Sequence, residues 1–201
     1  MPLVIVTGHP CSGKTRWASQ LRTYLQDTHS LSVALINEEI LGMSKATSYD
    51  SPAAEKMCRA GLKSAVDHAL SSSAWVIVDS MNYIKGFRYE LHCLARTVKS
   101  THCTVWISCE EADGDSWSAD RDGDRDNATS ATVDNYQREI LLDLRRRFEP
   151  PNERNRWDRP LFRVSTSTVP NTPAGGASSI TETKAVAEAA AEADVEVHTS
   201  S

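Results

Sequence analysis

The stretch "VIVTGHPCSGKTRW", Val4–Trp17, decides the fold. The apolar, branched run Pro2–Thr7 gives way to a loop rich in Gly, Pro and Ser, Gly8–Thr15. The loop leads directly into Trp17, Leu21, Tyr24 and Leu25, which share one face of a helix. This order predicts a strand buried on both faces, a tight loop and an amphipathic helix. The loop also fits the pattern G-x-x-x-x-G-K-[ST] through Gly8, Gly13, Lys14 and Thr15. Glycines at those two positions let the backbone curl so that successive N–H groups converge on phosphate oxygens, and the helix start adds its positive dipole end. Lys14 then brings a charge to the β- and γ-phosphates, and the Thr15 hydroxyl is a Mg²⁺ ligand. The contacting set comprises Gly8, His9, Pro10, Cys11, Ser12, Gly13, Lys14, Thr15 and Arg16. The competing reading is a strand-to-helix turn with a chance lysine, but the strand before and the helix after are the context the motif requires.

Working outward, "SVALIN" (32–37), "WVIVD" (75–79), "CTVWISC" (103–109) and "LFRVS" (161–165) read as further strands. Between them, Ser51-Pro52 looks like a cap followed by proline in the first helical position. That helix is predicted to run to about Ser71 with Met57, Leu62, Ala65, Val66 and Ala69 inward. Helical spacing recurs over 86–100 and over 133–148, and "EPPNERNRWDRP" (149–160) reads as a loop. Alternating strands and helices imply an α/β domain with a parallel sheet over residues 1–165. Residues 110–132 form a polar, irregular insert. From Thr166 onward Ser, Thr, Pro, Gly and Ala dominate without aromatics, which predicts a linker or disordered tail over 166–201.

Asp79 ends the third strand, where a carboxylate can hold the Mg²⁺ of a nucleotide, the alternative being a capping or turn residue. "INEE" ends the second strand at the same carboxyl edge of the sheet, where ligands gather in open α/β folds. Glu38 there can orient a water or accept a hydroxyl proton, and a solvent-facing acidic turn is the other reading. Arg121 and Arg125 in the insert can swing over the phosphates as a lid. The Asp-rich insert fails the calcium-loop pattern, with Arg125 in place of the sixth-position glycine and Ala131 in place of the twelfth-position glutamate.

Composition narrows the class further. Five scattered cysteines without a C-x-x-C pair point to a reducing compartment. No run approaches a membrane span, and the first residues lack the basic region of a signal peptide. The net charge of −5 is concentrated beyond Val164, where five acidic residues face Lys184 alone. The remainder is nearly neutral and argues neither for nor against a nucleic-acid partner.

Three segments, "MPLVIVTGHPCSGKT", "DSMNYIKGFRYELHCLAR" and "RFEPPNERNRWDRPLF", together resemble the Elongator-associated P-loop ATPases, the killer-toxin-insensitivity factors of yeast and relatives of phosphoseryl-tRNA kinase. The resemblance spans about residues 1–165 and implies a kinase-like P-loop fold with five parallel strands in the order 2-3-1-4-5. It implies ATP and Mg²⁺ as cofactors and Asp79 in the Walker-B role. Ser80, Asn82, Tyr83 and Arg88 fall in the signature that follows. Trp117 and Arg121 match a lid pattern, and Asn155, Arg156, Trp157 and Asp158 match the last motif. Contact of Arg156 and Trp157 with the nucleotide base or lid is one expectation; Trp157 packing the loop onto the sheet is the other. The family reading further implies ATP hydrolysis stimulated by tRNA, association with Elongator in wobble-uridine modification, and residence in cytoplasm and nucleus. Relatives continue into a helical C-terminal domain implicated in tRNA binding. This chain carries the acidic tail instead, so weak or lost tRNA affinity is expected. Two other functions use the same machinery: phosphoryl transfer to an RNA-linked or small-molecule hydroxyl, and a nucleotide-gated module without catalysis.

Overall fold

The computed structural model describes residues 2–70, 74–109 and 137–166, with positions 184, 185 and 188. The insert carrying Trp117 and Arg121, and nearly all of the tail, lie outside the described residues. Five strands make one parallel sheet: β1 (Leu3–Gly8), β2 (Val33–Ile36), β3 (Trp75–Asp79), β4 (His102–Ser108) and β5 (Leu161–Ser165). Their spatial order is β2-β3-β1-β4-β5, as the resemblance implied. The helices are α1 (Lys14–His29), α2 (Lys45–Ser48), α3 (Pro52–Leu70), α4 (Lys85–Thr97) and α5 (Arg138–Arg146), and a 3-10 turn spans Arg156–Asp158.

The central strand explains the continuous apolar run. Leu3, Val4, Ile5 and Val6 are all fully buried because helices cover both faces. Burial of each such side chain contributes on the order of 1.5–3 kcal/mol. Val4 and Val6 point to α1, packing on Trp17, Leu21 and Leu25, while Leu3 and Ile5 point to α3 and α4 through Leu62, Val66, Phe87 and Leu91. A third cluster of Tyr49, Met81, Tyr83 and Leu144 seats α5 near the exit of β3.

Helix α3 begins as the sequence predicts, with the Ser51 hydroxyl accepting the Ala54 N–H at 3.2 Å and Pro52 in the first position. Leu62 and Val66 are buried as expected, with Ala65 and Ala69 partly buried against the core, and Met57 is the exception. Cys58, Leu62, Val66 and Leu70 face the core together with Glu55, and Met57 is 75% exposed. Hydrophobicity alone put Met57 inward. Glu55, two residues earlier and so nearly opposite Met57 on the helix, turns inward instead, held by Tyr83 and Arg147. Among the described residues, no helix is long and apolar enough to cross a membrane.

Strand register sets up the site. Val6 pairs with Asp79 and Gly8 with Ile107, so the ends of β1 and β3 finish side by side at the carboxyl edge.

Candidate functional site

Chain sterics require the first glycine of the loop. A Cβ on Gly8 would lie 2.3 Å from the Ile107 carbonyl oxygen of β4 and 3.0 Å from Ser12 Oγ, so only hydrogen fits. Gly13 caps α1 with φ 85°, and Cys11 also takes a left-handed φ of 60°. The curl encloses the Lys14 ammonium, which donates to the carbonyls of Gly8 (3.2 Å) and His9. Burial lowers the Lys14 ammonium to about 8, with nearby Asp79, Cys11 and Glu38 pulling it back up. Thr15 and Arg16 are exposed at the mouth of the loop.

Asp79 is 2% exposed, and its Oδ2 has no hydrogen-bond partner among the described residues. Burial raises its carboxyl above the ordinary range, opposed by the Thr15 hydroxyl and the Lys14 ammonium. An orphaned, buried carboxylate oxygen beside a threonine hydroxyl suits a hard oxygen-seeking cation. The adjoining N–H cradle and lysine suit the phosphates such a cation accompanies. The residues therefore fit Mg-ATP, which when bound supplies a transferable γ-phosphoryl group.

Glu38 is buried, not turned to solvent, whereas Glu39 is exposed. The chain folds inward there because Asn37 Oδ1 accepts the Ile40 N–H at 2.8 Å. Glu38 Oε1 accepts from the Tyr49 hydroxyl at 2.7 Å and the Ser80 hydroxyl at 2.5 Å. Glu38 also acts electrostatically on both Lys14 and Asp79, raising each.

The two long motifs meet behind the loop. Asn82, at φ 43°, donates to the Val6 carbonyl at 2.7 Å and the Val78 carbonyl at 3.3 Å, tying together the ends of β1 and β3. Thr7 Oγ1 donates to the carbonyls of Met81 and Asn82. Fully buried Arg88 donates through Nη1 to the Asn82 carbonyl and through Nε to Asp158 Oδ1, each at 2.9 Å. Asp158 Oδ2 accepts from the Asn152 N–H (3.1 Å) and Asn155 Nδ2 (3.0 Å). Asn155 and Asp158 thus orient Arg88, and Arg88 orients the turn under the loop.

Among the described residues, the contacts of Trp157 are with α4 and β4, and the lid expected to meet Arg156 and Trp157 lies outside the described residues. Both residues precede β5, so they lie along α4 and the start of β4. The Trp157 ring meets Tyr89 edge-on at 5.3 Å with the Lys85 ammonium 5.4 Å from its centre. Its carbonyl is 3.1 Å from His102 Nε2. The packing reading of Trp157 is the one this geometry supports. Arg121 lies outside the described residues.

Sequence reasoning missed three groups around the loop. Phe148 packs on the His9 ring with centroids 4.4 Å apart, and Thr166 Oγ1 donates to the Ser12 carbonyl at 2.9 Å. Glu55 accepts from Tyr83, Arg147 and Arg59, binding α3 to α5. Burial pushes the Glu55 carboxyl up, but the Arg147 and Tyr83 hydrogen bonds more than reverse this and leave it below the ordinary range. Most of these pairs are far apart in the chain, and no local pattern marks them. A glutamate on the apolar stripe of α3 was the one available signal.

A parallel sheet in this order, with the phosphate-binding loop leaving its central strand, defines a kinase-like P-loop nucleotide-binding protein. The APS kinase CysC of Mycobacterium tuberculosis shares this fold with TM-score 0.59 at 14% identity, covering 93% of this chain and 95% of the kinase. The chain belongs to the KTI12 family, whose model, described as chromatin associated protein KTI12, matches residues 1–195. It is 41% identical over 164 residues to a Danio rerio KTI12 homologue and 40% identical over 173 residues to KTI12 of Saccharomyces cerevisiae. Those alignments cover 82% and 83% of this chain but 56% and 52% of the relatives, so the chain spans just over half their length. A crystal structure of Chaetomium thermophilum Kti12 in complex with ADP-AlF3 superimposes with TM-score 0.79 at 30% identity, covering 96% of this chain and 99% of that one.

Proposed function

We propose that this chain is a Mg-ATP-dependent ATPase acting as a regulatory factor with Elongator in tRNA wobble-uridine modification. The buried, unpartnered Asp79 Oδ2 beside Thr15 and Lys14 carries the catalytic half of this reading. The loop amides and Lys14 bind the phosphates, and Thr15 with Asp79 holds the metal. Glu38, fixed by Tyr49 and Ser80, orients the water. The Chaetomium relative's complex with ADP-AlF3 supports turnover of a nucleotide here, and family membership supports the Elongator and tRNA association.

Lys14→Ala and Asp79→Ala are each expected to lower ATP hydrolysis by about 10²-fold or more. Wild-type turnover in either variant overturns the assignment. Phosphoryl transfer is the second reading: the buried Glu38 carboxylate, held through Oε1 by hydrogen bonds from the Tyr49 and Ser80 hydroxyls, suits a base for an acceptor hydroxyl as well as for water. Incubation with γ-labelled ATP and bulk tRNA separates the two. Label on RNA means a kinase; free phosphate alone means a hydrolase. Hydrolysis measured with and without tRNA, on this chain and on a full-length relative, shows whether tRNA sensing requires more than residues 1–201.

A further inference from the structure

A second recess lies away from the loop, between the carboxyl half of α4, the start of β4 and the turn before β5. Its volume is about 800 Å³, within the range of small-molecule sites. Three cations line it: Arg96, Lys99 and Arg156. All three are exposed, and none has an ion-pair partner among the described residues. Cations at the carboxyl end of a helix complement its dipole, which accounts for Arg96 and Lys99. It does not account for Arg156, which reaches the same recess from another segment. Tyr89, 41% exposed, forms another part of the wall beside His92, their rings 6.3 Å apart. The positive field there is felt by His92, held below its ordinary range by burial and by Arg96 and Arg156.

We infer that this recess binds a phosphorylated small molecule with a planar ring, of nucleotide size, independently of the phosphate loop. Arg96, Lys99 and Arg156 take the phosphate through charge-assisted hydrogen bonds, and Tyr89 offers its ring to the planar part. A recess of this volume, walled by a helix, a strand start and a turn, favours a compact ligand over a long polyanion. The inference does not rest on ATP hydrolysis and survives if that reading fails.

Titration of the full chain carrying Lys14→Ala, in EDTA, tests it with adenosine 5′-monophosphate, adenosine, inorganic phosphate and a single-stranded oligouridylate as separate probes. Adenosine monophosphate is expected to bind, more tightly than phosphate or adenosine alone. The added pair Arg96→Glu and Arg156→Glu should weaken it by about tenfold or more. Arg96→Gln with Arg156→Gln serves as a milder variant, and retained Mg-ADP binding by either pair in an otherwise wild-type chain shows that the fold is intact. Absence of adenosine monophosphate binding, or binding insensitive to both pairs, overturns the inference. So does cleft-dependent binding of the oligonucleotide alone, which would make the recess a nucleic-acid surface.

Discussion

Arg88 shows how one side chain can serve two motifs distant in sequence. It is fully buried and shares its charge with a single carboxylate, Asp158. Its Nη2 has no hydrogen-bond partner among the described residues. Removing one partner of a buried ion pair is worse than removing both, because the remaining charge has lost its compensation. Asp158→Ala is therefore expected to cost about 3–5 kcal/mol in urea unfolding. The double variant Arg88→Met, Asp158→Leu should recover a large part of that loss. A double variant no more stable than the single would show that the bonds from Asn152 and Asn155 to Asp158, and not the ion pair, dominate. The motif residues Arg88 and Asp158 are visible in the sequence, but their pairing is not, since 70 residues separate them.

At the level of elements, what was legible is what local physics determines. Continuous apolar runs marked β1 and β3 because both faces of the sheet are covered there, and Ser51-Pro52 marked the start of α3 because capping is local. The strand order came from the family resemblance, since periodicity carries no order. The four-residue α2 and the 3-10 turn at Arg156–Asp158 are too short to show a hydrophobic period. Met57 was misplaced because Glu55, nearly opposite it on α3, is the residue whose partners lie inside. In the candidate site, the loop and Asp79 were legible because the motif is contiguous and the strand ends on the carboxylate. The burial of Glu38 and the packing role of Trp157 depend on tertiary neighbours. The loop is itself an element fitted to β4, so Gly8→Ala pushes a methyl group into the Ile107 carbonyl. That change is expected to cost several kcal/mol, on the order of 2–4, and to abolish nucleotide binding. Both are measurable by thermal unfolding with and without Mg-ADP; unaltered binding would show that the loop can retreat from β4.

For the molecule as a whole, pH reaches the fold through the side opposite the phosphates. His102 Nε2 lies 3.2 Å from His92 Nδ1, and burial with the neighbouring His92 lowers His102 to about 4. Arg96 on α4 pushes it the same way, while the Trp157 carbonyl and Asp158 on the turn pull it back. The unfolded chain takes up this proton near pH 6.5 and the folded chain only near 4. Between those values the unfolded state binds more protons, so stability falls as pH drops from 6.5 to about 4 and then levels off. The loss is at most about 3 kcal/mol. Urea midpoints across that range should show the decline, and His102→Phe should flatten it. An equally steep decline in the variant would assign the effect to other groups.

The bond from Thr166 to the Ser12 carbonyl joins the phosphate loop to the chain as it leaves the last strand. Thr166 also bonds through its N–H and its hydroxyl to Ser108 at the end of β4. One threonine therefore fastens the phosphate loop to the end of β4, directly after β5 ends. The floor of the phosphate loop is thus set by a residue 154 positions further along the chain.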